Sequence, residues 1–353
     1  MNIAIVTGSG GLIGSETVNF LCQHGFKVLG IDNNFRKFFF GKDGDVLKNI
    51  NKLKKNINYK HFFYDIRDEN KIANIFKKYS RNIKLIVHCA AQPSHDWAKK
   101  NPKIDYEINC TSTINLLELF RKFCPKSVFI YTSTNKVYGD NPNKLPLVEK
   151  KTRFICSDRI KYSKYGINES MSLDNTIHSL FGCSKLAADI YCQEYGKYFD
   201  LKIGVFRGGC LTGPGHAGAE LHGFLSYLVK CQLSGKKYNI FGNKGKQVRD
   251  NIHSSDLIKA FWMFYKKPLK GEVFNIGGGI DSNISIIEAS QKIFELTGKK
   301  LKFEIKRKAR KGDHVWWISD TRKFKKYYPK WKIKIKINDI LKDIIQSQTK
   351  INQ

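Results

Sequence analysis

A carboxylate at Asp32 and glycines at Gly8, Gly11 and Gly14 carry the clearest chemistry in this chain. Each glycine has its own task. Gly8 permits a tight turn after a strand, Gly11 lets backbone approach a pyrophosphate, and Gly14 lets the next helix lie close on a sheet. The start of that helix offers unpaired N–H groups and a positive dipole end to phosphate oxygens. Asp32 ends a second apolar run, Phe26–Ile31, where a carboxylate accepts hydrogen bonds from a ribose. It would repel a 2′-phosphate, so the pattern points to NAD rather than NADP. The elements that must position these groups are a buried strand through Ile3, Ile5 and Val6 and a helix after the turn. Without them the triplet is an ordinary αβ connection.

Strands and helices alternate from residue 2 to about 206, the pattern of an α/β fold with a doubly wound parallel sheet. The apolar runs predict strands at 2–7, 27–32, 58–64, 84–89, 127–132 and 201–206. Helices are predicted near 12–24, 69–79, 104–123 and 180–199. The 33–57 connection is long and reads as a loop whose Phe38-Phe39-Phe40 run is anchored on the cofactor or substrate side. Past 206 the rhythm loosens at Gly208-Gly209, Gly213-Pro214-Gly215 and Gly277–Gly279, as suits a smaller, interleaved lobe.

With 353 residues and 41% hydrophobic content, the chain can bury a large domain and a smaller lobe. No signal peptide is evident and no apolar run reaches the roughly 20 residues that span a bilayer, so the expectation is a soluble, cytoplasmic protein without membrane association. The nine cysteines are scattered without a C-x-x-C pair and read as small buried hydrophobes in a reducing compartment. The formal charge of +31 is spread along the whole chain rather than gathered on one segment. It accompanies abundant Asn, Ile, Phe and Tyr, the residues of AT-rich codons, and predicts no specific nucleic-acid partner. A field of this sign would still speed capture of an anionic substrate.

The Gly8-x-x-Gly11-Leu12-Ile13-Gly14 spacing resembles that of the extended short-chain dehydrogenases, the NAD-dependent epimerase/dehydratase family, and the likeness runs from residue 1 to about 325. Within the family it is nearest to the CDP-paratose (CDP-tyvelose) 2-epimerase group. The segments that carry this are Thr132-Ser-Thr134-Asn-Lys-Val-Tyr-Gly-Asp140, His178-Ser179, Cys210-Leu-Thr-Gly213 and Gly245-Lys-Gln-Val-Arg249-Asp250. The resemblance implies NAD held by the glycine turn with Leu12 and Ile13, by Asp32 and Asn33, by Asp65-Ile66 at the adenine, and by Ala90-Ala91 beside the pyrophosphate. It implies that Asn109 props a neighbouring strand open and that Lys185 holds the nicotinamide ribose. It further implies a nucleotide-diphosphate sugar as substrate and a homodimer. The expected division is an NAD-binding domain at 1–206, rejoined by 244–272, and a sugar-nucleotide lobe from 207–243 and 273–353.

Family members oxidise a sugar hydroxyl, alter the keto intermediate and usually return the hydride. A Tyr-x-x-x-Lys pair on one helix face and a Ser or Thr at a strand end do this work. Thr134 and Lys185 match, but the residue four before Lys185 is Phe181, which keeps the ring and loses the oxygen. A substitute base, a route through water and Lys185, or a binder with little turnover are the three resulting readings. Tyr162, Tyr165, Glu169, His178 and Cys183 are the nearby candidates; His178 heads the list, although it could equally serve the start of the helix. Asn135-Lys136 stand where the family's 4,6-dehydratases carry an Asp-Glu pair, which argues against dehydration. The polar run Ser94-His95-Asp96 is expected at the substrate, as is Thr134. Arg207, Arg249 and Arg310 present planar forks suited to a diphosphate, with Asp313 close to Arg310 in sequence. His222, with His216 and Glu220, flanks a turn near the nucleotide. No metal is expected, since the redox chemistry needs none.

Overall fold

The computed structural model describes residues 2–220 and 222–352. Seven strands form its main sheet: β1 (Ile3–Thr7), β2 (Lys27–Ile31), β3 (Tyr59–Phe62), β4 (Ile83–His88), β5 (Val128–Thr134), β6 (Lys202–Gly208) and β7 (Glu272–Ile276). They lie in the order β3-β2-β1-β4-β5-β6-β7, with β1 to β5 paired parallel. β1 is buried at every position, as its unbroken apolar run requires when both faces of a sheet are covered. The strand order reverses between β1 and β4, so the sheet's crevice opens beyond their carboxyl ends.

The first six strands form where the apolar runs predict them. β7 is not among the predicted strands; it lies at the sheet edge, where Glu272 and Val273 stay partly exposed and weaken its apolar signal. The 33–57 connection is not a plain loop. It contains the helices Arg36–Phe40 and Leu47–Leu53, and Val46, Ile50 and Leu53 are buried from it at helical spacing among lysines that mask the pattern.

The chain divides into two compact units: Met1–Val137, Leu180–Arg207 and Ile258–Phe274 form the first, and Tyr138–Ser179, Gly208–Leu257 and Asn275–Gln353 the second. Besides Arg207 and residues 273–274, which fall in the first unit, this division differs from the sequence boundaries over two long stretches. Residues 138–179 fall in the second unit, where Ile167 N–H donates to the Ile318 carbonyl (2.7 Å) and the Tyr138 hydroxyl to Asn275 (2.8 Å). Residues 244–257 fall there too, because the strand Val248–His253 pairs with Cys210–Thr212, Asn283–Ser285 and Trp316–Trp317. In the second unit's core, the helices Phe224–Ser234, Ile286–Thr297 and Ile337–Asn352 pack Leu228, Ile293, Ile340 and Leu341 together.

The first unit's core carries a buried ion pair. Arg207 on β6 grips Asp189, on the helix Ser179–Tyr198, through Nε (3.0 Å) and Nη2 (2.8 Å), and Ser133 Oγ on β5 donates to the same carboxylate (2.5 Å). Arg207 therefore does not present the diphosphate fork expected of it. It is 2% exposed, and its charge is committed to the helix. Breaking a buried pair by removing one partner costs about 3–5 kcal/mol, because the other charge is left stranded. Asp189→Ala is expected to lose about that much stability in urea unfolding; a variant as stable as the wild type would refute this account of the pair.

Candidate functional site

The turn after β1 is shaped for a phosphate. Gly8 has φ +67°, and a Cβ there would lie 2.7 Å from the Ala90 nitrogen, where the exits of β1 and β4 meet. A Cβ on Gly14 would stand 2.0 Å from the Gly8 carbonyl oxygen, so the helix Leu12–Gln23 can pack this closely only on glycine. Gly11 faces open space apart from that same carbonyl at 3.4 Å. No side chain caps this helix and no acid lies in its first turn, so its N–H groups and dipole are left for an anion. Leu12 and Ile13 are buried beneath the turn.

Asp32 is fixed at the mouth of this turn, accepting from Gly10 N (2.9 Å) and Asn34 N (2.7 Å). Burial raises its pKa, while those two N–H groups and Arg36 pull the other way. Next to it, Asn33 donates to Asp65 (3.0 Å), and Arg67 binds Asp65 through Nε (3.0 Å) and Nη2 (2.8 Å). Phe35 stacks under the Arg67 guanidinium. The sequence singles out Asp65 but not Arg67 or Phe35; the aromatic run beside a basic residue is the signal that was available.

Beyond β4, Ala90 donates its N–H to Thr7 Oγ1 (3.2 Å), and Ala91 leads to Gln92. Asn109 is 1% exposed and sits in a π-helical turn, Glu107–Thr111. It bonds both backbone groups of Gln92 (2.9 and 3.0 Å) as well as Asp105 and Ser184 (both 3.1 Å). Its polar groups are spent on protein, which makes it a positioning residue rather than a cofactor ligand. Ser94 likewise turns inward. It is fully buried and caps the helix His95–Lys100 by accepting from Trp97 N (3.3 Å), so it is not the substrate contact expected of it. His95 and Asp96, the next two residues, remain partly exposed.

Phe181, Lys185 and Asp189 lie four apart on the helix Ser179–Tyr198 and share one buried face. Lys185 Nζ donates to the Thr132 carbonyl (2.8 Å) and sits 4.2 Å from the centre of the Tyr131 ring. Burial lowers its pKa to about 8. His88 bridges the hydroxyls of Thr7 (2.6 Å) and Thr113 (3.0 Å), and burial with the nearby Lys185 charge pushes it down to about 3, so it is neutral. Thr134 closes β5, is partly exposed, and accepts from Lys136 N at its hydroxyl (3.3 Å). Cys183 points outward from the helix, away from the buried Phe181 face.

In the second unit, Arg249 pairs with Asp313 (2.8 Å), and Asp313 N–H donates to the Arg310 carbonyl (3.2 Å), so three of the expected diphosphate-side residues come together. The Arg310 guanidinium lies over the Phe241 ring. His222 stands 5.4 Å from His216, ring centre to ring centre. His178 spends Nε2 on the Leu173 carbonyl (2.9 Å), which ties it to its own loop. Glu169 accepts from Asn275 N (2.6 Å), and Tyr165 lies under Arg322 at 3.7 Å, so both are occupied structurally. Among the described residues no group of three His, Cys, Asp or Glu is placed to hold a metal ion, and no helix is long and apolar enough to cross a membrane.

The profile of the NAD dependent epimerase/dehydratase family matches residues 4–277. The chain belongs to that family. CDP-paratose 2-epimerase of Salmonella typhi is 31% identical over 326 residues, 90% of this chain and 91% of that protein. UDP-glucuronate 4-epimerase of Thermodesulfobacterium geofontis is 30% identical over 347 residues, 97% of this chain and 94% of that protein. Among solved structures, a mutant of UDP-glucuronic acid 4-epimerase from Bacillus cereus, in complex with a UDP-4-deoxy-4-fluoro-glucuronic acid and NAD, superposes with a TM-score of 0.80 at 24% identity, covering 99% of this chain and all (100%) of that one. UDP-glucose 4-epimerase of Thermotoga maritima, solved with UDP-glucose, gives 0.78 at 25% identity over 100% of both chains. NAD is the cofactor of this epimerase/dehydratase family member, and the open glycine turn, the uncapped helix and the fixed Asp32 carboxylate fit it.

Two expectations follow for the site. Asp32→Ala should narrow the preference for NAD over NADP, measured as the ratio of the two dissociation constants; a ratio unmoved by the substitution would remove Asp32 from cofactor choice. For Lys185, the sign of the pH effect comes from its depressed pKa, about 8 against 10.5. Between those values the unfolded chain holds the proton and the folded chain has shed it, so stability rises with pH through that window. The wild type is expected to gain on Lys185→Met in urea midpoint as pH climbs from about 8 to 10.5; a constant gap would contradict the depressed value.

Proposed function

We propose that this protein epimerises a nucleotide-diphosphate sugar by transient oxidation to a keto sugar, and that its substrate is of the CDP-paratose/CDP-tyvelose type. The observation that carries the reading is Lys185, buried one helical turn from position 181 and held under the end of β5 that bears Thr134, beside a turn shaped for NAD. The similarity to a CDP-sugar 2-epimerase over nine-tenths of both chains supports the same chemistry. Bound NAD supplies the hydride acceptor and, on the return step, the hydride donor. The chain's own part is to bind and orient. Thr134 would bond the reacting sugar oxygen, and Lys185 would hold the nicotinamide ribose and favour a negative oxygen nearby. The net charge of +31 draws an anionic substrate of this kind in from solution.

Phe181 favours a second reading, a protein that binds NAD and nucleotide sugars without turnover. The two separate when wild type and Lys185→Ala are incubated with NAD and a panel of CDP-, UDP- and GDP-sugars, following NADH absorbance and epimer formation together. The expected result is an epimer with transient NADH from the wild type, and a loss of about 10²-fold or more in Lys185→Ala. Micromolar binding across the panel with no NADH and no product would favour the binder.

A further inference from the structure

The oxygen missing at position 181 leaves the oxidation step without its usual proton acceptor, and a titratable side chain packs against that ring. The imidazole of His95 stands edge-to-face against Phe181, ring centres 5.0 Å apart and planes at 79°. It is carried there by a built arrangement. Ser94 caps the helix that begins at His95. The Gln92 side chain clasps Ser94 on its N–H (2.6 Å) and carbonyl (2.9 Å), and it also donates to Asp105 (2.6 Å). The other oxygen of Asp105 accepts from Ser184 (2.6 Å), the residue before Lys185. The segment bearing His95 and the helix bearing Phe181 and Lys185 thus hang from one buried carboxylate. His95 itself stays partly exposed. Lys185 is the poorer acceptor, because its nitrogen donates to the Thr132 carbonyl and lies against the Tyr131 ring.

We propose that His95 is the general base of the epimerisation, standing in for the absent tyrosine hydroxyl; the assignment rests on the epimerase reading above. The neutral imidazole takes the proton of the sugar hydroxyl when the carbonyl forms, while the hydride goes to bound NAD. The imidazolium returns that proton to the same oxygen when the carbonyl is reduced on its other face. The proton and the electron pair both come back within one turnover, and no further oxidant is needed.

The test compares wild type, His95→Gln, Phe181→Tyr and the double variant, measuring kcat, KM, NAD affinity by fluorescence, and the His95 ring resonances by NMR. His95→Gln is expected to lower kcat by about 10²–10⁴-fold with KM and NAD affinity within about threefold of wild type. Adding Phe181→Tyr to it should restore at least about tenfold, since a phenol then stands four residues before Lys185. The wild-type His95 resonances should move when NAD and the nucleotide sugar are added together. A His95→Gln enzyme within about threefold of wild-type kcat would overturn the proposal. So would a loss matched by an equal loss of NAD affinity and not rescued by the tyrosine. If the wild type turns over no sugar in the panel, the epimerase reading fails on that result alone. The NMR arm then decides His95 separately: resonances unmoved by any nucleotide sugar reject it as a substrate-contacting base, and moved ones keep it in contact with the ligand.

Discussion

A buried carboxylate, Asp105, is the point from which the working parts of the first unit are hung. It is 1% exposed and receives neutral donors from three separate elements: Gln92 from the exit of β4, Asn109 from the π turn, and Ser184 from the long helix. Two carboxylate oxygens can accept about four hydrogen bonds. A hydroxyl or an amide oxygen could not branch so widely. Burial pushes the Asp105 pKa up, and the bonds from Ser184 and Gln92, with the more distant Lys185 charge, pull it back. Such a site is costly unless every donor is present, so the network tolerates few alternative geometries. The extra residue of the π turn belongs to this arrangement, since that turn sets Asn109 where it reaches both backbone groups of Gln92.

The same economy of charge runs through the rest of the unit. Asp189 and Arg207 neutralise each other under β5, and Ser133 joins them, which fixes the strand end carrying Thr134. His88 is kept neutral between two threonines. Lys185 instead meets a backbone carbonyl and an aromatic face. On the proposed function, its charge would favour a developing negative oxygen. The second unit treats arginine differently: Arg249 is tethered to Asp313 at a partly exposed carboxylate, and Arg310 lies on an aromatic face.

Six strands and the cofactor turn were legible in the sequence because buried parallel strands read as continuous apolar runs and because each glycine answers a steric demand that other residues fail. The unit boundary was harder. Val248–His253 is polar at Arg249, Asp250 and Asn251 yet wholly buried, since Asp250 accepts from Ser319 N and Gly279 N and burial raises it to about 6. Polarity of that kind looks like a surface until its partners, about 30 and 70 residues away, are known. Arg207 misled for the same reason. A lone arginine at a strand end suggests a phosphate, and only the fold reveals that Asp189 is there to meet it. His95 was legible as a candidate at the substrate, but its relation to Phe181 depends on a side-chain contact between segments 86 residues apart, which spacing cannot show.

The neighbours of Phe181 on its helix take their positions from groups other than a hydroxyl at 181. Lys185 takes its position from β5, through the Thr132 carbonyl and the Tyr131 face. Ser184 takes its position from Asp105, and the Phe181 carbonyl accepts the same hydroxyl at 3.1 Å. The Phe181 ring is buried to 6% exposure and packed edge-on against an imidazole, the geometry that an aromatic quadrupole prefers. The ring serves as a packing surface, and the side chain packed on it is the imidazole to which we assign the proton.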